Sequence, residues 1–277
     1  MSNPLLSDEI VAHYADGYEA ERLSNRASRL ESARTQELVL RYLPSPPAVI
    51  YDIGGGPGAY ACWLARLGYE VHLVDALPLH VELARQAAAA QPDAPLASVS
   101  LGDARALDRS DESVDVALLF GPLYHLTEQS DRLAALGEAR RVVRPGGILL
   151  AAGISRFAST LSGLHEGLFD DPVFERIVEQ DLQDGQHRNP TNHPEYFTTA
   201  YFHHPAELQA EVEAAGLRHV ATLPIEGPGW LIAGVFERWD DADHRTRVLA
   251  ALRRIEREPS LLGASAHLLV VARKAPA

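Results

Sequence analysis

Four glycines fall within five positions in the segment Tyr51-Asp-Ile-Gly-Gly-Gly-Pro-Gly-Ala-Tyr60. Glycine tolerates positive φ and lets a ligand approach the backbone, and the first amides of a following helix are free to bind it. A plain turn does not need so many permissive residues, so Gly54, Gly56 and Gly58 read as a ligand cradle. Acids stand around it: Asp52 directly before the loop, Asp75 twenty-one residues beyond Gly54, and Asp103 within Gly102-Asp103-Ala104-Arg105. Gly54, Gly56 and Ala59 fit the pattern G-x-G-x-x-A, and a carboxylate at the position of Asp75 grips ribose hydroxyls in many nucleotide-like cofactors. Taken alone, these residues leave NAD and S-adenosylmethionine open.

The elements that must hold these groups alternate in type. Short apolar runs at 48–53, 70–75, 97–101, 114–120 and 147–153 read as strands, and patterns at 60–68, 78–90 and 128–143 read as helices. That alternation predicts a parallel sheet with crossover helices, buried on both faces because its strands are nearly continuous apolar runs. Before it, residues 8–24 read as a helix interrupted by Gly17. A second helix restarts at a Ser28/Glu31 capping box and runs to Pro44. After it the rhythm breaks over 154–203, with a helix at 172–182, and resumes with a helix at 205–215, a strand at 217–223, a helix at 241–257 and a strand at 266–273. The expected division is a helical cap (1–47), a cofactor-binding core (48–153), a lid insertion (154–204) and a C-terminal return to the core (205–277).

Three features separate the two cofactors. Asp52 next to the loop repels a pyrophosphate and favours the sulfonium and ammonium of S-adenosylmethionine. Asp103 follows the third strand, where an adenine amine can donate to it. Arg144-Pro-Gly-Gly147 turns a helix tightly into the fifth strand. Together V-I-Y-D-I-G-G-G-P-G, H-L-V-D, G-D-A, V-D-V-A-L-L-F-G-P-L-Y-H-L and R-V-V-R-P-G-G resemble the class I S-adenosylmethionine-dependent methyltransferases over residues 48–153. The resemblance implies an α/β, Rossmann-like doubly wound sheet of seven strands in the order 3-2-1-4-5-7-6, the last strand antiparallel. It implies that Gly54, Gly56 and Gly58 line the cofactor, that Asp75 holds the ribose and Asp103 the adenine amine, and that Asp52 occupies the family's acidic position. It also places Ala104 and Phe120 beside the cofactor, and Arg34 on its methionine carboxylate.

The acceptor belongs beyond the fourth strand, at Phe120-Gly-Pro-Leu-Tyr-His125. Relatives that methylate amino groups in DNA carry Asn/Asp-Pro-Pro-Tyr/Phe there. Gly121 and Leu123 depart from that motif. His125 has the intrinsic pKa of a general base, and Tyr124 is suited to an aromatic wall. Tyr14 and Tyr18 share one helical face, Glu31 and Tyr196 add polar groups, and the aromatic, histidine-rich insertion suits a lid over a small aromatic acceptor. Histidines spaced so irregularly do not read as a metal site.

With 277 residues, 46% apolar and 23% charged, the chain is long enough for a full core and an appendage. Its net charge of −13 disfavours nucleic acid and anionic lipid. The lone Cys62, an N-terminus without signal-peptide character and no apolar run near ~20 residues predict a cytoplasmic protein. The expectation is a methyltransferase of secondary metabolism acting on a small organic acceptor at O, N or C, with neither nucleic acid nor membrane as partner and a homodimer left open. Its rivals are an NAD-dependent oxidoreductase and a non-catalytic S-adenosylmethionine-binding protein.

Overall fold

The computed structural model describes residues 6–14, 28–191, 193–232 and 234–276. Five parallel strands, β1 (Val49–Ile53), β2 (Glu70–Asp75), β3 (Ser98–Leu101), β4 (Val114–Leu119) and β5 (Val143–Ser155), form the sheet around the glycine loop. A short antiparallel pair follows, β6 (Gln186–His187) with β7 (Ala200–His203), and then β8 (Arg218–Pro224) and β9 (His267–Arg273). β9 lies antiparallel between β5 and β8, so the main sheet runs β3-β2-β1-β4-β5-β9-β8. Counting β8 and β9 as sixth and seventh core strands, this is the expected 3-2-1-4-5-7-6 with its last strand antiparallel.

Both faces are covered, which is why the strands read as continuous apolar runs. On one face Ile50, Leu73, Val116, Leu118 and Leu150 pack against α2 (Ser28–Tyr42), α3 (Ala59–Arg66) and α4 (Pro78–Ala89). On the other, Ala117, Leu119 and Leu149 meet α6 (Gln129–Val142) and α9 (Pro205–Ala214) through Leu136 and Val212. The remaining helices are α1 (Asp8–Tyr14), the single turn α5 (Pro122–His125), α7 (Ala158–Glu166) and α8 (Pro172–Asp184) in the insertion, and α10 (Ala242–Ile255). None of the described helices is long and apolar enough to cross a membrane.

The structure departs from the reading of the sequence in three places. The helix expected over 8–24 is seen as α1, and Gly17 and Tyr18 lie outside the described residues. Ser28 is already helical, so it is not the residue before the first turn of α2. β5 runs over 143–155 and not 147–153: Pro145 and Gly146 (φ +79°) produce a register shift against β4 where a stop was expected. At its other end, Ile154 and Ser155 pair with Phe202 and His203 of β7. Ile154 also pairs with His267 of β9, so β7 lies on the edge of β5 that β4 leaves free after Leu119. The insertion is stitched to the sheet beside the end of β4.

Candidate active site

β1 delivers the chain into the glycine loop at the carboxyl edge of the sheet. The amides of Gly54 and Gly55 both donate to the Val74 carbonyl, at 2.7 and 3.3 Å, and draw the loop against β2. Gly54 has φ +70°, and a Cβ there would lie 2.6 Å from Pro122 of α5. Gly56 has φ +56°, and a Cβ there meets no protein atom within 4 Å. It is the glycine that faces open space, so a side chain would fill the cradle and not the core. Gly58 caps α3 and packs close to Ala84.

Asp75, at the end of β2, is 7% exposed. Its Oδ2 accepts from the Gly56 amide at 2.9 Å, and its Oδ1 from the Leu77 amide at 2.9 Å and His80 Nδ1 at 3.2 Å. Asp52 lies beneath the loop, so close that a Cβ on Gly55 would be 2.6 Å from its Oδ2. That oxygen has no hydrogen-bond partner among the described residues. Burial, with the Asp75 charge adding to it, pushes the Asp52 carboxyl up to about 7 against the opposing Ala61 amide. Asp103 is clamped by Arg105, which donates from Nη2 at 2.7 Å and also reaches Asp131 at 2.7 Å. Burial acts to raise the Asp103 carboxyl, but the hydrogen bonds from Arg105 outweigh it and hold it below the usual carboxylate range.

Above these acids lies a recess of about 730 Å³, part of it open to solvent. Gly54, Gly56, Asp75, Asp103 and Ala104 line one side, and Tyr124, His125 and Leu126 another. Leu6, Ile10 and Tyr14 roof it, Ile10 and Tyr14 packing with Leu77. Tyr14 Oη lies 2.8 Å from His125 Nε2, and His125 Nδ1 lies 3.5 Å from the Thr199 carbonyl. A carbonyl only accepts, so Nδ1 carries the proton and the Tyr14 hydroxyl donates to Nε2. His125 keeps an edge on the recess yet sits deep in the molecule, and burial pushes its imidazole down to about 4 in spite of the Thr199 carbonyl.

The described part of the insertion is not the roof: none of its described residues lines the recess. It anchors α1 instead. Thr198 Oγ1 donates to the Glu9 carbonyl at 3.3 Å and Thr199 Oγ1 to the Glu9 carboxylate, while Phe197 stacks on His125 at 6.1 Å.

Several expected site residues stand elsewhere. Arg34 is 1% exposed and donates to Glu256 at 2.7 Å, Glu37 at 2.9 Å and the Ile225 carbonyl at 3.1 Å, so its charge is spent inside the α2–α10 packing. Glu31 groups with Glu226 and His267 at the start of β9, off the recess. Tyr196 belongs to the insertion's own core, its hydroxyl donating to Asp171 at 2.7 Å. Phe120 packs edge-on to Tyr60 below the recess, and Gly58 does not line it. Sequence reasoning missed His80, which lines the recess from the first turn of α4. Its spacing from Asp75, across a Pro that starts a helix, was the available signal.

A family model described as a methyltransferase domain matches residues 51–151, which span the loop, all three acids and the end of β4. Over this segment the chain carries a methyltransferase domain similar to those of the class I S-adenosylmethionine-dependent methyltransferases. A ubiquinone/menaquinone biosynthesis C-methyltransferase of Acidiphilium cryptum is 32% identical over 123 residues, covering 44% of this chain and 48% of the relative. A malonyl-[acyl-carrier protein] O-methyltransferase of Methylococcus capsulatus is 35% identical over 111 residues, covering 40% of this chain and 38% of the relative. The chain thus spans less than half the length of the curated relatives it matches. A methyltransferase structure from Methanosarcina mazei superposes with a TM-score of 0.58 at 18% identity, covering 87% of this chain and 98% of that one, a likeness of fold. The class I cofactor is S-adenosylmethionine, and the site fits it: the cradle at Gly56 is open, and Asp52 Oδ2 beneath it, without a hydrogen-bond partner among the described residues, favours a cation.

Proposed function

We propose that this chain is a cytoplasmic enzyme that moves a methyl group from S-adenosylmethionine to a small organic acceptor, leaving S-adenosylhomocysteine. The observation that carries the reading is the roofed recess, which joins two carboxylates, Asp75 and Asp103, and an open glycine cradle on one side to an aromatic, imidazole-bearing wall on the other. Its roof, α1, and its size suit a small acceptor in place of a polymer, and the net charge of −13 disfavours a polyanion. The three acids likewise disfavour the pyrophosphate of a dinucleotide.

When bound, the cofactor supplies a methyl carbon already activated by positive sulfur, so positioning and exclusion of water carry most of the rate. Asp75, Asp103 and the Gly56 backbone would hold the nucleoside, and Asp52 would contribute negative charge from beneath. On the acceptor side, Tyr124 forms the wall. Tyr14 Oη passes its proton to His125 Nε2 as it takes one from the acceptor's O–H or N–H, so one proton leaves the acceptor and one arrives on the imidazole. A value of about 4 for His125 makes this a transient proton site, suited to an acceptor that releases its proton as the new bond forms.

The test is to incubate the protein with methyl-labelled S-adenosylmethionine and a fractionated metabolite extract and to identify the labelled product by mass spectrometry. Label transferred to a small molecule is expected, and not to protein or nucleic acid in the extract. Binding without transfer to any fraction refutes the catalytic reading. Stabilisation by NAD but not by S-adenosylhomocysteine refutes the cofactor as well.

A further inference from the structure

His80 is the polar group of the recess that the cofactor cradle and the acceptor wall leave unexplained. It is 5% exposed and stands in the first turn of α4, its Nδ1 3.2 Å from Asp75 Oδ1. A carboxylate facing Nδ1 accepts from it, so Nδ1 carries a proton, and in the neutral tautomer this fixes Nε2 as a bare acceptor. That nitrogen is shut off from solvent and has no hydrogen-bond partner among the described residues. Nearly all buried polar atoms in folded proteins are satisfied, and an exception calls for a cause.

Nearby donors are already spent. The Leu77 and Gly56 amides end on Asp75. The Tyr14 ring packs edge-on to His80 at 5.2 Å, but its hydroxyl proton goes to His125. Among the described residues no donor is left for Nε2, so the partner it lacks is a donor brought by the ligand. Asp75 and Asp103 in the same recess also only accept, so this side of the site is a row of acceptors matched to a ligand carrying several O–H and N–H groups.

We propose that His80 recognises the cofactor's sugar, its Nε2 accepting a hydrogen bond from one ribose hydroxyl while its Nδ1 ties it to Asp75, so that imidazole and carboxylate read the diol as a unit. The inference rests on the S-adenosylmethionine reading. It adds a selectivity: a nucleoside with that hydroxyl removed or esterified loses the partner that Nε2 is built to receive.

Isothermal titration with S-adenosylhomocysteine and its 2′-deoxy and 3′-deoxy analogues, on the wild type, His80→Asn and His80→Gln, tests it. Asparagine keeps a donor toward Asp75 but lacks the distal acceptor; glutamine carries an amide out to the Nε2 position. His80→Asn is expected to bind S-adenosylhomocysteine about ten-fold more weakly and His80→Gln to recover to within about three-fold of the wild type, the scale of one hydrogen bond. One deoxy analogue is expected to lose about ten-fold against the wild type but under about three-fold against His80→Asn. Equal losses on both proteins for both analogues, or full affinity in His80→Asn, overturn the assignment. Should the variants not fold, ¹⁵N-histidine NMR of the wild type reads the same contact: the unprotonated Nε2 resonance moves upfield on saturation with S-adenosylhomocysteine, and an unmoved resonance overturns it. A wild type that binds no S-adenosylhomocysteine overturns the cofactor reading together with this one, whereas binding without coupling to His80 removes His80 alone.

Discussion

Replacing Asp52 with asparagine should stabilise the ligand-free protein, and by an amount that depends on pH. The folded chain keeps the Asp52 proton up to about pH 7, whereas a carboxyl at its ordinary value of 3.8 releases it three units lower. Between those values the folded state binds more protons than the unfolded one, so stability falls as pH rises from about 4 to about 7 and is level above. Three units at 1.36 kcal/mol each give a cost on the order of 4 kcal/mol at pH 8, of which about 3 kcal/mol accrues between pH 5 and pH 8. Asparagine cannot ionise and can still accept from the Ala61 amide, but its Nδ2 inherits the unpartnered position of Oδ2, which offsets part of the gain. Urea denaturation at pH 5 and pH 8 should show the Asp52→Asn protein gaining about 1 to 3 kcal/mol on the wild type across that interval. Titrating groups common to both proteins cancel in the difference. The same variant should weaken S-adenosylmethionine more than S-adenosylhomocysteine, because only the former carries the sulfonium charge. Parallel pH profiles, or equal losses for the two ligands, refute the reasoning.

Tyr14→Phe removes the donor to His125 Nε2 and should slow methyl transfer at least about a hundred-fold, the lower end for an aligned proton-transfer group, with S-adenosylhomocysteine affinity changed less than about three-fold in calorimetry. His125, held at about 4 against an ordinary 6.5, acts on stability in the opposite sense to Asp52. The unfolded chain takes up its proton first as pH falls below 6.5, so stability drops toward pH 4, by up to about 3 kcal/mol; denaturation of His125→Asn should show that part of the acid loss missing. Arg34→Met leaves Glu256 with Arg41 alone and should cost about 2 to 3 kcal/mol in urea melts, the scale of charged hydrogen bonds lost, while any protein that stays folded binds S-adenosylhomocysteine as the wild type does; a selective loss of affinity would return Arg34 to the cofactor. Gly56→Ala sets a methyl group into open space at φ +56°. It should lower stability by only about 1 kcal/mol yet weaken the cofactor more than ten-fold by titration.

What was legible in the sequence is what local chemistry dictates. The glycine loop, Asp75 at a strand end and the strand order follow from backbone needs and from runs of apolar residues, and the structure places them as read. Arg34 was misread because the partner that claims it, Glu256, is 222 residues away, and no local pattern announces such a pairing. Tyr196 looked like part of a lid because aromatic composition does not say which face a ring turns; its tie to Asp171 puts it in the insertion's own core. The insertion's task was hidden for the same reason. Its attachment depends on β5 continuing past Gly153 to meet β7, and on Thr198 and Thr199 finding Glu9, contacts that span about 190 positions. His80 needed only the short step from Asp75, and was the one omission that spacing alone made avoidable.

The reversal of β9 has a practical side for anyone handling this protein. Because that strand runs against its neighbours, it carries the polypeptide from the ligand-bearing rim to the opposite pole, with Lys274 bonded to the Val143 carbonyl where β5 begins. A fluorophore, purification handle or surface tether attached behind Lys274 therefore emerges on the far side from the mouth. Leu6 itself lines the recess, so immobilisation for ligand measurements should be made through the Lys274 side.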